Sequence, residues 1–265
     1  MDLQIRNRVA IVTGANGGMG FATARLLAEE GVRLVLTDKD IEGMEAQAAS
    51  LDAETLVVEA DMTDDDAVHD LVRTALDRFG TIDIVVHTAG ITGAKGNPVE
   101  LTDDDYREAY ETDFLSAVRI ARHALPVMKR GGWGRFVCIA SENAAQPYWE
   151  EATYNTAKAA VVAFVKGLSY RAAADGILCN TVSPAFIATD MTDEMMTKRA
   201  EENGTSFDEA IESFLEEERP GIVQKRRGRA EEVAAVIALL VSERASFVNG
   251  ANYRVDGGSV QAVGN

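Results

Sequence analysis

In the stretch SENAAQPYWEEATYNTAK two tyrosines compete for a chemical role, and only Tyr154 has a lysine four residues on. On a helix starting near 152, Tyr154 and Lys158 leave the same face one turn apart, whereas the position four after Tyr148 is Ala152. A phenol with a pKa of about 10 is a poor proton acceptor near neutrality, and an ammonium beside it favours the phenolate. Ser141 closes the apolar run GRFVCIAS, where its hydroxyl could hydrogen-bond a substrate hydroxyl or carbonyl. The three residues have the types and spacing for proton transfer at a bound oxygen. Tyr148 is left as a candidate pocket wall, with Glu142, Asn143, Trp149, Phe186 and parts of 190–219. Glu142 and Asn143 favour a hydroxylated substrate.

Such residues need a frame, and the chain supplies one. Short β-branched runs at 8–14, 33–38, 55–61, 82–90, 134–141 and 177–184 alternate with segments of helical spacing at 18–30, 39–51, 64–79, 102–130, 152–174 and 230–243. A last strand is expected within 252–258. The strands are continuously apolar, which predicts a parallel sheet covered on both faces. The fold expected is a single α/β domain over 1–265, a Rossmann-like doubly wound sheet of about seven strands. No Pro-, Gly- or Ser-rich linker divides the chain. Cap-like TDDD sequences at 63–66 and 102–105 mark two helix starts.

The first strand runs into TGANGGMG. Gly14, Gly18 and Gly20 would let the chain turn sharply, bring backbone close to a pyrophosphate and open a helix whose amide groups favour the anion. Asp38 ends the second strand eighteen residues after Gly20, near the spacing at which a carboxylate reaches the ribose hydroxyls of NAD and repels a 2′-phosphate. Lys39 beside it suits NADP instead, so NAD is expected over NADP without excluding the latter. Asp61 reads either as a contact at the adenine edge or as a helix cap. His87, Thr88, Ala89 and Gly90 form a small-residue turn against which a cofactor could lie, with His87 packed rather than metal-binding, since no second ligand falls at metal spacing.

The 265 residues carry a formal charge of −17, which repels nucleic acid and anionic membrane surfaces alike. Cys138 and Cys179 lie in apolar runs and read as reduced thiols. With no signal-like start and no membrane-length run, the expected address is the cytoplasm. Residues 190–219 hold eleven acidic and three basic residues, reading either as a solvated helical hairpin or as a substrate lid extending to about 225.

Together these motifs resemble the short-chain dehydrogenase/reductase family, from Val9 to Gly258. The resemblance assigns TGANGGMG, with Asn16 and Met19, to the cofactor turn, Asp38 to the ribose, and Asp61 and Met62 to the adenine. It makes Ser141, Tyr154 and Lys158 the catalytic set, and places Ile187 and Thr189 of SPAFIAT at the nicotinamide carboxamide. The implied reaction is hydride transfer between a nicotinamide and a secondary alcohol or ketone. An NADP-dependent 3-oxoacyl or ketone reductase and a non-catalytic dinucleotide-binding regulator are the alternatives. The resemblance also implies a homotetramer built through 102–130, 152–174 and the last strand. The chain departs from the family pattern at His87 and Ala185, and most at Asp113, which replaces the asparagine that orients a water beside the lysine. The added charge should tighten the lysine's hold on its proton.

Overall fold

The apolar runs become one sheet in the computed structural model, which describes residues 1–263. Residues 264 and 265, the end of the expected domain, lie outside the described residues. The strands are β1 (Val9–Thr13), β2 (Arg33–Asp38), β3 (Thr55–Glu59), β4 (Ile84–His87), β5 (Gly134–Ile139), β6 (Ile177–Pro184), the two-residue β7 (Ile187–Ala188) and β8 (Gly228–Arg229), and β9 (Asn252–Val255). Seven of them pair in parallel in the order β3-β2-β1-β4-β5-β6-β9, while β7 and β8 pair apart. Strand order reverses between β1 and β4, which opens a crevice at their C-terminal ends.

Alternate residues of each strand feed two separate cores. Val9 and Ile11 of β1, Val85 of β4 and Phe136 and Cys138 of β5 pack on one face with Leu71, Ile120 and Val161. Ala10, Val12, Ile84, Val86, Val137 and Ile139 pack on the other with Leu27, Met44, Val233 and Ile237. Burial on both faces explains why the strands read as unbroken apolar runs. Cys138 and Cys179 are buried free thiols.

The first core is covered by α3 (Asp65–Phe79), α5 (Ser116–Gly131) and α6 (Ala152–Ala172), the second by α1 (Gly18–Glu29), α2 (Met44–Ala49) and α9 (Ala230–Leu240). Asp64 caps α3 through the Asp66 and Ala67 amides, and a Thr102/Asp105 capping box opens α4 (Asp103–Ala109). Two helices differ from expectation. The segment 39–51 turns first, because Asp38 and Asp40 accept from the amides of Lys39 and Glu42 and Gly43 takes φ 78°, so α2 starts only at Met44. The run 102–130 is interrupted by a wide π-helical turn, Tyr110–Leu115, where the Ser116 hydroxyl donates to the Thr112 carbonyl. That turn rotates Asp113 inward.

The acidic stretch folds as a helical hairpin, α7 (Asp190–Asn203) and α8 (Phe207–Glu217). Acidic as it is, it has a small core of its own: Phe186, Met196, Phe214, Leu215 and Ile222. Among the described residues no helix is long and apolar enough to cross a membrane.

Candidate active site

At two of its positions the glycine turn admits only glycine. Gly14 has φ +62°, and a Cβ on Gly20 would lie 2.2 Å from the Gly14 carbonyl oxygen. Gly17 precedes α1 with no side-chain cap and no acidic residue follows in the first turn, so the first amides of the helix face a cavity of about 220 Å³. Gly14, Gly18, Met19, Gly20, Asp38, Asp61, Met62, Thr88, Ala89, Gly90 and Thr189 line that cavity. Unclaimed amides, a strand-end carboxylate and an apolar floor fit a dinucleotide. Asn16 does not line it; its amide donates to Asp38 at 3.2 Å and its side chain to the Asp40 carbonyl, so it braces the carboxylate instead. Asp61 is not the cap of α3 either, since its oxygen accepts from the Thr63 amide and hydroxyl. Those bonds hold its pKa low.

A second cavity, about 540 Å³, adjoins the first and shares Met19, Thr88, Gly90, Ile91, Thr189 and Met191 with it. Ser141, Tyr154 and Lys158 line it, with Glu142, Asn143, Phe186 and Ile187. The β5 end delivers Ser141, and α6 delivers the other two one turn apart. Ser141 and Tyr154 face the same cavity, and Lys158 Nζ lies 5.4 Å from the Tyr154 ring centre. Tyr148 and Trp149 are not part of this lining: the Tyr148 hydroxyl bonds Ser259, its ring lies under Arg219, and Trp149 is 68% exposed.

Asp113 meets Lys158 directly. Its Oδ1 lies 3.1 Å from Nζ and accepts from the Ile91 amide, while Nζ also donates to the Ile139 carbonyl at 3.3 Å. Both residues are buried. A Cβ on Gly90 would be 2.4 Å from Oδ1, so the close pair requires glycine there. Oδ2 is buried without a partner. Burial pulls the Lys158 pKa down, but Asp113, with Tyr154 adding to it, more than offsets this and leaves it raised. Tyr154 stands above its ordinary value: burial pushes it up, Lys158 opposes, and Asp113 pushes up again. The expected lowering by Lys158 is therefore present but outweighed in the protein without ligand.

His87 is tied on both sides. Because Ser116 donates to Thr112, His87 Nε2 must donate to Ser116 at 3.0 Å, and Nδ1 accepts from the Thr13 hydroxyl at 2.9 Å. Burial, with Lys158 adding to it, lowers its pKa to about 3, so the ring is neutral. No cluster of His, Cys, Asp or Glu among the described residues is placed to hold a metal ion.

The sequence reading passed over Lys95, Glu151 and Arg219, which also line the cleft. Lys95 and Arg219 both bind Glu151, at 2.7 and 2.9 Å. Burial raises the Glu151 pKa, yet the two cations outweigh it and hold it low. Glu142 is raised, chiefly by burial, and its Oε2 is buried without a partner. Glu151 was within the stretch that drew attention to Tyr154, but nothing local separates it from exposed Glu150. Arg219 is 68 residues away in sequence, the lone cation of FLEEERP.

The family model described as Enoyl-(Acyl carrier protein) reductase, a short-chain dehydrogenase model, matches residues 14–260. The chain belongs to the short-chain dehydrogenase/reductase family. It is an enzyme of the short-chain alcohol dehydrogenase/carbonyl reductase type that uses a nicotinamide cofactor. It is 34% identical to the meso-2,3-butanediol dehydrogenase of Serratia marcescens over 99% of this chain and 98% of that one. The levodione reductase of Leifsonia aquatica is also 34% identical, over 97% and 95% of the two chains. The L-sorbose reductase of Gluconobacter frateurii, solved with NADPH and L-sorbose, superposes with a TM-score of 0.93 at 32% identity, covering 99% of this chain and all of that one.

Proposed function

We propose that this short-chain dehydrogenase/reductase interconverts an uncharged, hydroxylated secondary alcohol and its ketone, with NAD preferred to NADP. The observation that carries the reading is the meeting of Ser141, Tyr154 and Lys158 in the cavity that adjoins the glycine-turn cavity. When bound, the nicotinamide supplies the hydride acceptor or donor. Tyr154 takes the substrate hydroxyl proton as phenolate, or returns it to the ketone oxygen. Ser141 holds that oxygen, and Lys158 stabilises the phenolate and binds the nicotinamide ribose. Asp113 fixes Lys158, while Ile187 and Thr189 face the carboxamide. Glu142 and Asn143 on the cavity wall support a hydroxylated substrate, and the acidic hairpin, acting as a lid over 190–225, disfavours anions. The protein works in the cytoplasm as a homotetramer.

The test is turnover. Purified protein with NAD and a panel of 2-butanol, 2,3-butanediol, cyclohexanol and sorbitol should form NADH, and Tyr154→Phe should lose about a thousandfold or more in turnover while still binding NADH. Turnover surviving in Tyr154→Phe would refute the acid–base role. NAD preference rests on the Asp38 carboxylate at the cavity wall. Asp38→Ala should bring the NAD and NADP affinities together. A second reading, NADP preferred, is favoured by the NADPH held by the L-sorbose reductase and by Lys39 at the same wall. Tighter NADP than NAD binding by the unaltered protein would establish it.

A further inference from the structure

A continuous run of polar side chains joins the C-terminal end of the hairpin to Ser141. Arg219, two residues past α8, is only 8% exposed. Its Nη2 donates to both Glu151 oxygens at 2.9 Å, its Nε lies 3.5 Å from Glu142, and its guanidinium lies 3.5 Å over the Tyr148 ring. Glu151 Oε2 also accepts from Asn143 Nδ2 at 2.7 Å, and the same Nδ2 donates to Asn155 Oδ1 at 2.8 Å. Asn155 Nδ2 in turn donates to the Tyr148 carbonyl at 2.7 Å.

These bonds have only one consistent direction. The Tyr148 carbonyl can only accept, so Asn155 must turn its nitrogen to it and its oxygen to Asn143. Asn143 must then turn its nitrogen to Glu151 and Asn155 and its oxygen to Ser141. Ser141 Oγ donates to that oxygen at 3.0 Å and accepts from the Asn143 backbone amide at 3.3 Å. The single hydroxyl proton of Ser141 is thereby aimed at Asn143, while the Asn143 amide holds Oγ in place, and that proton must turn to the reacting oxygen when substrate binds. We propose that Asn143, oriented by Glu151 and Arg219, is a positioning residue for Ser141, so that seating of the α7–α8 hairpin and orientation of the serine are coupled. This rests on the reading of Ser141 as the ligand of the reacting oxygen.

Without Arg219 the fork on Glu151 is lost. The carboxylate then keeps the Asn143 amide and, as its one remaining cation, Lys95, which reaches a single oxygen on a flexible stem that is 41% exposed at its side chain. Glu151 then turns more readily, the Asn143 amide is left with Asn155 as its one firmly placed acceptor, and the acceptor of Ser141 is held less tightly.

The test is a pair of double-mutant cycles, Arg219→Met and Asn143→Ala, each made in the wild-type and Ser141→Ala backgrounds. The alcohol turned over fastest in the panel above serves as substrate, and single-turnover NADH formation with enzyme in excess keeps Ser141→Ala measurable. Each single variant should lower the rate about tenfold or more in the wild-type background but less than about threefold in Ser141→Ala. NADH affinity should stay within about threefold throughout. Equal losses in both backgrounds, or no loss, would overturn the positioning role while leaving the dehydrogenase reading intact. Asn143→Ala leaves the Arg219–Glu151 pair in place, so the positioning role of Asn143 is decided even if Arg219→Met fails to fold. Unaltered turnover in Ser141→Ala would instead remove the role of Ser141 and this inference with it.

Discussion

Replacing Asp113 by asparagine removes one charge from the reactive cluster and little else. The asparagine oxygen can still accept from the Ile91 amide, and the side-chain volume is kept. The effect on Tyr154 can be sized from the geometry. With 3.1 Å from Asp113 to Nζ and 5.4 Å from Nζ to the ring centre, the carboxylate lies at most about 8.5 Å from that ring. At an effective dielectric near 20, two charges at that separation interact by about 2 kcal/mol, equivalent to about 1.4 pH units. Relaxation and water in the open cleft reduce this to about one unit. Asp113 raises the Tyr154 pKa, so its removal must lower it. Alcohol oxidation needs the phenolate, and kcat/KM rises with pH through that titration. The rising limb for Asp113→Asn should therefore lie about one pH unit below that of the unaltered protein, with NAD affinity at fixed pH as the control. The measurement is initial NADH formation between pH 5.5 and 10.5 in a constant-ionic-strength buffer. Superimposable limbs, or a shift to higher pH, would refute the claim that this carboxylate governs the proton acceptor.

Two further substitutions probe the frame. Gly20→Ala puts a Cβ into the Gly14 carbonyl at 2.2 Å, so the turn must open; dinucleotide affinity should fall by a factor of about 100 or more, read by NADH fluorescence titration. His87 titrates near 6.5 when unfolded but only at about 3 when folded, so the unfolded chain binds the proton more readily. Its contribution to stability is full above pH 6.5 and is lost as pH falls towards 3. His87→Asn should accordingly flatten the dependence of Tm on pH between about 6.5 and 4, and an unchanged slope would show that His87 is not the group responsible.

Much of the frame was legible because strand burial on both faces leaves a clear trace: Val9–Thr13 is apolar up to its last residue, and Gly134–Ile139 is apolar apart from Arg135. The same holds for the glycine turn and for Tyr154 and Lys158, whose relation is local to one helix. What failed was of two kinds. Helix starts were misplaced where an aspartate satisfied backbone amides in a turn, as Asp38 and Asp40 do before α2. Cleft walls were misassigned where neighbours in sequence diverge in space: Trp149 is exposed, yet Glu151 two residues on is buried against Arg219. The π-helical turn at Tyr110–Leu115 left no apolar-period signal, since it shifts the register by a single residue.

Two buried ion-pair networks reach the proposed catalytic residues, one through Lys158 and one through Asn143. Asp113 acts on Tyr154 through the charge of Lys158, a long-range effect set by distance and dielectric. Arg219 and Glu151 reach Ser141 through Asn143, an effect set by hydrogen-bond direction that vanishes when one member turns. The first should therefore shift pH profiles with little change in the plateau rate, and the second should lower the plateau with little shift in profile. A chain of 43 acidic residues keeps its cleft usable by balancing the carboxylates that line it: Glu142 and Glu151 face Arg219 and Lys95. Asp113 inverts that balance at the lysine, where a neutral residue would leave the cation free to act on the phenol alone. On the proposed reading, Tyr154 becomes a base only at higher pH unless a positively charged cofactor ring enters the cleft beside it.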